Sequence, residues 1–155
     1  MGKTVITYGT FDLFHIGHLN LIKRLRRLAG DDGKVIVAVS TDEFNQLKGK
    51  KSLIPYKDRS EIVSHIKEVD MVIPEKSWEQ KIEDIKKYNV NIFAIGDDWK
   101  GKFDYLKKYC DVKYLPRTEG ISSTYIKEVL KNISVSKTKL LEAFEVLEQL
   151  KKDLL

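Results

Sequence analysis

Apolar and polar residues follow two periods along this chain, one typical of buried strands and one typical of amphipathic helices. Near-continuous apolar runs, which indicate strands buried on both faces of a sheet, occur at 4–9, 34–40, 70–74, 90–96 and 111–116. Between these runs, apolar residues recur three and four positions apart, as Leu19, Ile22 and Leu25 do, and this spacing predicts helices. The alternation predicts an α/β fold, with a doubly wound, parallel, five-stranded sheet.

Local signals mark where the predicted helices begin. The first helix is expected from about residue 16, and the segment 41–54 is expected to be a loop. Pro55 is predicted to open the next helix, because proline is favoured at a first helical position. The buried stripe of that helix is predicted to be Ile62, Ile66 and Val69. Ser77, followed three residues later by Gln80, is typical of a capping box at the start of a further helix.

The end of the chain has a pattern of its own. "ISVSKT" is typical of a linker, and "KLLEAFEVLEQLKKDLL" predicts an amphipathic helix. The predicted organisation is therefore a domain over 1–132 and a linker with a C-terminal helix over 133–155. The apolar stripe of this helix is compatible with docking on its own domain or with contact to a second subunit. A membrane surface is disfavoured, because the glutamates of the same helix would be repelled by anionic lipid.

Composition narrows the class of protein. The 155 residues are enough for one domain with a core, and 42% are hydrophobic and 33% charged, as in globular proteins. The N-terminal "MGKTVITYGT" lacks the apolar core of a signal peptide, and no apolar run reaches the roughly 20 residues of a membrane span, so a cytoplasmic protein is expected. The lone Cys110 is expected to be a core thiol. The net charge of +5 does not choose a partner, and neither nucleic acid nor membrane insertion is expected.

Polar, chemically active segments follow four of the predicted strands. In a doubly wound sheet, ligands bind outside the carboxyl ends of the strands, at the point where the strand order reverses. The segments that fall at these ends are "GTFDLFHIGH", "STDEFNQLKGKK", "GDDWKGK" and "RTEGISST". Their joint placement on one edge predicts a binding site there.

The segment after the first strand has the features of a phosphate site. A helix N-terminus offers unpaired N–H groups and a positive dipole end, and Gly9 and Gly17 leave space for close approach to the backbone. His15 and His18, three residues apart, can direct two N–H donors towards one point. Asp12 could hold a metal or orient a histidine. Two histidines alone are weak support for zinc, which usually has three or four protein ligands.

The cations elsewhere in the chain favour phosphate chemistry. Lys48, Lys50 and Lys51 crowd the glycine-containing loop "LKGKKS", and Arg59 and Arg117 add two guanidinium groups. Transfer of a nucleotidyl group needs such donors, which neutralise charge on the reacting phosphates. The chain shows no activated nucleophile, and none is required when the acceptor is itself an anionic phosphate ester.

"GTFDLFHIGH" together with "RTEGISST" resembles the HxGH nucleotidylyltransferases. Within that superfamily, "VITYGTFDL", "STDEFN", "VIPEKSWEQK", "GDDWKGKFD" and "YLPRTEGIS", spread over residues 3 to 131, are similar to the cytidylyltransferases that use glycerol 3-phosphate. The resemblance implies a Rossmann-like fold and a Mg²⁺-dependent enzyme, expected to act as a homodimer. CTP and sn-glycerol 3-phosphate would give CDP-glycerol, for teichoic acid synthesis, and pyrophosphate.

The resemblance also implies a role for each matching residue. The catalytic residues would be His15, His18, Lys50 and Arg117. The CTP-binding residues would be Gly9, Thr10, Phe11, Asp12, Gly17, Lys48, Asp97, Asp98, Trp99, Thr118, Ile121, Ser122, Ser123 and Thr124. The acceptor-binding residues would be Lys50, Arg59, Lys67, Asp70 and Trp78, and Asp12 is the candidate metal ligand.

Alternatives to this interpretation remain open. Lys67 stands where the family often has arginine, and lysine lacks the bidentate grip on phosphate. Trp78 and Trp99 are equally compatible with aromatic anchoring of the core or of a subunit contact. The acceptor could instead be phosphocholine, phosphoethanolamine or a pentitol phosphate. The domain could also be an inactive nucleotide-binding scaffold, although the intact His15, His18, Lys50 and Arg117 argue against that.

Overall fold

The computed structural model describes residues 2–154, so the outer limits 1 and 155 of the predicted ranges lie outside it. The chain folds as two units, one up to Gly120 and one from Ile121 onward. The first unit holds the strands β1 Thr4–Gly9, β2 Lys34–Ser40, β3 Met71–Glu75, β4 Ile92–Gly96 and β5 Asp111–Leu115. Its helices are α1 Ile16–Ala29, α2 Asp42–Leu47, α3 Tyr56–Ser64 and α4 Gln80–Lys87, with short 3-10 helices at Asp97–Trp99 and Asp104–Lys108.

The five strands form one parallel sheet in the order β3-β2-β1-β4-β5. The chain builds outward from β1 to β3 on one side and then returns to add β4 and β5 on the other. The strand order therefore reverses between β1 and β4, and a ligand crevice is expected at their carboxyl ends. The predicted fold class is confirmed.

Apolar side chains fill both faces of the sheet. Val5 and Ile6, neighbours on β1, point to opposite faces, and each belongs to a different cluster of buried residues. Ile22 and Leu25 of α1 complete the first cluster, and both are fully buried. Cys110 packs against the second cluster, as predicted for a core thiol.

Three local predictions can be compared with the structure. The segment 41–54 was expected to be a loop, but it contains α2, whose N-cap Thr41 accepts a hydrogen bond from the Phe44 amide at 3.1 Å. The predicted stripe on α3 is wrong at Ile62, which is exposed, because the helix ends at Ser64 and buries Val63 instead. Ile66 and Val69 lie beyond the helix but pack against the first cluster, as predicted. The reciprocal hydrogen bonds of the predicted capping box are present, since the Ser77 and Gln80 side chains each accept from the other residue's amide. They lie just before α4, whose N-cap is Glu79 and not Ser77.

The second unit is one long helix, α5 Ser123–Leu154. Residues 133–138, predicted to be a linker, are helical, so no element ends at the predicted domain limit of 132. None of the described residues of α5 is buried. Within residues 2–154, no helix combines the length and the apolar character that crossing a membrane requires.

Candidate active site

His15 and His18 form the start of α1. His15 is the N-cap, and its Nδ1 accepts a hydrogen bond from the Gly17 amide at 3.0 Å. The amide of His15 in turn donates to Nδ1 of His18 at 3.2 Å. The spacing of three residues is therefore the spacing of a capping box, in which each side chain satisfies an amide at the helix start.

This capping arrangement decides which nitrogen of each imidazole carries the proton. In a neutral imidazole one ring nitrogen accepts and the other donates. Because both Nδ1 atoms accept amide hydrogens, the Nε2 atoms carry the protons and are the donors of the pair. The two rings stack with centroids 3.8 Å apart and an interplanar angle of 22°. The result is a pair of stacked imidazoles at a helix N-terminus, each with Nε2 as its donor.

Burial keeps this histidine pair neutral. It lowers the pKa of His18 to about 4, with a further lowering by His15 that the nearby Asp12 opposes. The rings of Phe11 and Phe14 each lie 5.3 Å from the His18 ring, centroid to centroid, and contribute to that burial. Burial and the charge of Arg117 also lower the pKa of His15. At neutral pH both side chains therefore act as dipolar donors and not as cations.

The loop between β1 and α1 has an unusual backbone. Phe11 and Leu13 both have positive φ, 55° and 51°, a region that non-glycine residues seldom occupy. Burial of the Phe11 ring holds its conformation in place. A Cβ on Gly9 would lie 2.9 Å from that ring, so the position needs glycine.

Asp12 joins the loop between β1 and α1 to the loop between α2 and α3. Its two carboxylate oxygens accept hydrogen bonds from the amides of Leu53 and Ile54, at 2.8 and 3.0 Å. Within residues 2–154 no group of three or more His, Cys, Asp or Glu side chains could hold a metal ion. The described residues therefore do not fit a metal site held by the protein alone, and Asp12 is engaged in joining two loops.

Arg59 lies behind the same loops. Its side chain is 1% exposed. Its guanidinium donates to the carbonyl oxygens of Ile54, Thr10 and Ser40 at 2.7–2.8 Å, and to Asp42 at 2.8 Å. These contacts hold the carboxyl ends of β1 and β2 together. Direct contact of Arg59 with the acceptor substrate stays a prediction. The hydrogen-bond partners given above for its guanidinium all belong to the protein itself.

Two of the three lysines that follow α2 differ in their surroundings. Lys50 is exposed beside Gly49, whose φ of +71° turns the loop. Lys48 is almost buried, with its Nζ 3.1 Å from Ser40 Oγ, and burial lowers its pKa to about 8. The Lys50 side chain is thus exposed to solvent, whereas Lys48 is held beside Ser40 and Glu75.

The other side of the crevice comes from β4, β5 and α1. Arg117 follows β5, and its guanidinium lies 3.9 Å from the carboxylate of Asp98. Thr118 accepts a hydrogen bond from Asn20 of α1 at 3.1 Å. Asp97 and Asp98 open the short helix after β4, where a Cβ on Gly96 would meet Asp98 Oδ1 at 2.6 Å. The structure therefore brings the predicted GDDW and RTEG segments to the same edge as the histidine pair.

Trp78 and Trp99 are neighbours, with ring centroids 5.9 Å apart. Phe44 meets Trp78 edge-on at 5.3 Å, and Phe103 lies 5.5 Å from Trp99. Trp78 is nevertheless 40% exposed. The pair joins the segment after β3 to the segment after β4, and it presents an aromatic face that a ligand could reach.

Some predicted site residues are placed elsewhere. Asp70 precedes β3 and accepts hydrogen bonds from Arg26 and from the amide of Val35, at the amino end of β2. The structure therefore does not bring Asp70, or Lys67 three residues before it, to the carboxyl edge. Four further predicted residues, Ile121, Ser122, Ser123 and Thr124, belong to the unit from Ile121 onward. There Ser122 Oγ accepts from the Tyr125 amide at 3.0 Å and caps α5.

Sequence reasoning missed three polar residues beside Lys48. Ser40 and Glu75 end β2 and β3, in register with each other, and Lys81 comes from α4. Ser40 and Glu75 carried the signal used for the other segments, namely a polar residue at the carboxyl end of a strand. Lys81 had no such signal, because an exposed helix face explains a lysine equally well.

A doubly wound parallel sheet with paired neutral imidazoles and lysines around a helix N-terminus defines a nucleotide-binding enzyme of the nucleotidyltransferase class. The comparison with known families agrees with this class, because the family model described as cytidylyltransferase-like matches residues 6–129. The chain belongs to the cytidylyltransferase-like family.

Individual relatives extend this result. The chain is 60% identical over 126 residues to a glycerol-3-phosphate cytidylyltransferase of Bacillus spizizenii, covering 81% of this chain and 95% of the relative. It is 55% identical over 128 residues to the enzyme of that name from Staphylococcus aureus, with 83% and 95% covered. The crystal structure of a lipopolysaccharide core biosynthesis protein from Thermoplasma volcanium has the same fold. It matches with a TM-score of 0.64 and 22% identity, over 77% of this chain and all of that one.

Proposed function

We propose that the protein transfers the cytidylyl group of CTP to sn-glycerol 3-phosphate, giving CDP-glycerol, for teichoic acid synthesis, and pyrophosphate. The observation that carries this proposal is the identity of 55–60% over 95% of the length of relatives that bear this activity in their names. The geometry of the histidine pair supports it, because two N–H donors at a helix N-terminus suit a reacting phosphate.

The proposed reaction is one in-line displacement. An oxygen of the acceptor phosphate attacks the α-phosphorus of CTP and forms the new P–O bond. The bond between the α-phosphorus and the oxygen that bridges to the β-phosphate breaks, and pyrophosphate leaves with that electron pair. The acceptor oxygen is already anionic, so no general base is needed. Nε2–H of His15 and of His18 donate to phosphate oxygens on which charge grows, and their neutrality avoids a strong grip on CTP before the reaction.

Charged side chains around the pair complete the proposed site. Lys48 supplies a fixed ammonium, Lys50 an exposed one, and Arg117 a guanidinium on the opposite side. Asp97 and Asp98 offer acceptors for the amino group of cytosine. Mg²⁺ would be held by the phosphates of CTP as part of the substrate and would neutralise part of their charge, since this ion commonly keeps water and phosphate ligands. A cytoplasmic location fits the nucleotide substrate.

Turnover with a panel of substrates tests the proposal. Purified protein with CTP and Mg²⁺ should release pyrophosphate with glycerol 3-phosphate and not with phosphocholine. Phosphoethanolamine and a pentitol phosphate are the further arms, and glycerol 3-phosphate should exceed both. UTP presents a carbonyl where cytosine has its amino group, so kcat/KM should fall by at least ~10²-fold. Efficient use of phosphocholine or ATP would contradict the assigned substrates, and no turnover with any acceptor would favour a scaffold.

The protein is further proposed to be a homodimer that pairs through α5. On this helix Ile126, Ile133, Leu140, Leu147 and Leu154 recur every seven residues. A strict seven-residue repeat keeps one seam facing a partner helix only when the two helices supercoil, as in a coiled coil. A second copy presents the identical seam, and it is the occupant that this repeat fits best.

The size of the seam agrees with a stable dimer. Leu130, Phe144 and Leu150 flank the repeat and are at least half exposed. Burying one such side chain contributes about 1.5–3 kcal/mol, or roughly 60–120 Å² at ~25 cal/mol per Å². For these residues and the five of the repeat in two copies, that amounts to roughly 1,000–2,000 Å², which is the range of specific interfaces.

A further inference from the structure

A buried chain of hydrogen bonds leads from the crevice into the protein. Lys48 Nζ donates to Ser40 Oγ at 3.1 Å, and Ser40 Oγ donates to Glu75 Oε1 at 2.6 Å. The other oxygen of Glu75 accepts from Lys81 Nζ at 2.8 Å. Two ammonium groups from different elements therefore converge on one carboxylate.

This chain of hydrogen bonds is shielded from water along its length. Glu75 and Lys81 are 4% and 1% exposed at their side chains, and Lys48 is 10% exposed. Lys81 Nζ lies over the rings of Tyr8 and Trp78, at 4.5 and 5.0 Å from their centroids. Lys48 Nζ lies 4.5 Å from the ring centroid of Phe44. In such surroundings a single negative charge has a strong effect on both ammonium groups, because little water screens them.

We propose that Glu75 is a positioning residue for Lys48: through Ser40 it holds the ammonium at the wall of the crevice, in its charged form, and Lys81 balances the carboxylate from behind. The role of Lys48 towards phosphate rests on the proposed function. The arrangement of the buried chain does not, and it can be tested without any substrate.

The charges around Lys48 predict how it responds to change. Burial lowers its pKa to about 8, and Glu75, its strongest charged neighbour, raises the pKa. Lys50, Lys81 and Arg59 are the cations that face it, and each lowers the pKa. Removing the charge of Glu75 should therefore lower the pKa of Lys48 further, whereas removing the charge of Lys81 should raise it.

Two variants and one control separate these effects. Glu75→Gln alone leaves Lys81 buried without its partner, which can prevent folding. Glu75→Gln combined with Lys81→Met removes the pair together, and it still takes away the larger of the two influences on Lys48. Lys81→Met alone keeps Glu75. Glu83→Gln, an exposed carboxylate of α4, is the matched control.

The measurement is the titration of Lys48 in the ligand-free protein, followed by NMR of ¹³C-labelled lysine side chains. We expect the pKa of Lys48 to fall in the double variant, to rise in Lys81→Met and to stay unchanged in Glu83→Gln. The proposal would be overturned if the pKa of Lys48 shifted in the same direction in the double variant and in Lys81→Met, or if it shifted in neither. The result does not depend on which acceptor the enzyme uses, so a failure of the proposed substrates is recognised separately.

Activity gives a second readout. A fall of ~1 pKa unit would leave, at pH 8.5, about eightfold less of the charged form of Lys48. The kcat/KM for CTP in the double variant should then decline at lower pH than in the parent protein, with a smaller difference at pH 6.5. A uniform loss at every pH would indicate a merely structural role and would contradict the assignment.

Discussion

The two units of the chain place similar apolar residues in opposite surroundings. Ile22 and Leu25 of α1 are fully buried, whereas Phe144 and Leu147 of α5 are 56% and 61% exposed. In the unit up to Gly120 the apolar pattern is satisfied by the sheet that it covers. In α5 a comparable pattern has no cover within its own helix, because a single helix cannot bury its own stripe.

This difference suggests separate roles for the two units, with the predicted catalytic residues in the first and the proposed subunit contact in α5. The histidine pair, Lys48, Lys50 and Arg117 lie in the unit up to Gly120, where hydrogen bonds and packing fix most of them. The long apolar part of α5 lies beyond residue 129, where the match to the cytidylyltransferase-like family ends. We therefore expect substitutions in the first unit to change turnover, and substitutions along the seam of α5 to change the oligomeric state.

The largest effect is expected at His18. His18→Ala removes one of the two Nε2–H donors, and kcat should fall by about 10²-fold or more, the scale for losing one preorganised donor. The thermal midpoint should drop only modestly, because the capping contact to His15 contributes about 1 kcal/mol. His65→Ala, at the exposed C-cap of α3, is the control. A folded His18→Ala protein with near-normal kcat would show that the pair only packs the turn.

How much of this site could be expected from sequence depends on the range of the interactions. The histidine pair, the GDDW segment and Arg117 were predictable, because each directly follows a strand and parallel strands end at one edge. The contacts of Arg59 with three carbonyl oxygens were not, because backbone carbonyls leave no trace in residue identity. The chain of hydrogen bonds from Lys48 to Lys81 was not predictable either. It depends on the fold bringing together residues that are 33 positions apart in sequence.

The prediction of secondary structure was wrong in two places, at 133–138 and at α2. Serine, valine and threonine in 133–138 have modest helix propensity, about 0.5 kcal/mol per residue below alanine, and this composition predicts a linker. Strong helix formers on both sides carry α5 through this stretch. The short α2 was overlooked despite its signals, a threonine cap followed by acidic residues in the first turn.

A second prediction concerns the acid side of stability. His18 has a pKa of about 4 in the folded protein and about 6.5 when unfolded, so the unfolded chain binds the proton more readily. Stability from this group is complete above pH 6.5 and is lost as the pH falls towards 4. The loss should reach about 2 kcal/mol by pH 5. Urea unfolding at pH 7.5 and 5 measures it, and His18→Asn should remove this share of the difference, whereas His65→Asn should keep it.

Finally, the seam of α5 should control assembly and leave catalysis nearly unchanged. Leu140→Glu combined with Leu147→Glu places two charges in the repeat, and burying them against a second copy would be costly. Size-exclusion chromatography with light scattering should therefore show a monomer for this variant and a dimer for the parent protein. Thr138→Glu, off the seam on the same helix, should remain dimeric.

The kcat of the seam variant should stay within about twofold of the parent value. Leu140 is sixteen residues beyond Thr124, which corresponds to roughly 24 Å along a helix, so the predicted phosphate-binding residues at the start of α5 are not disturbed. A dimer that survives both glutamates would show that α5 is not the interface. A monomer with kcat reduced as far as in His18→Ala would show that assembly and chemistry are coupled, and the separation between the two units would then fail.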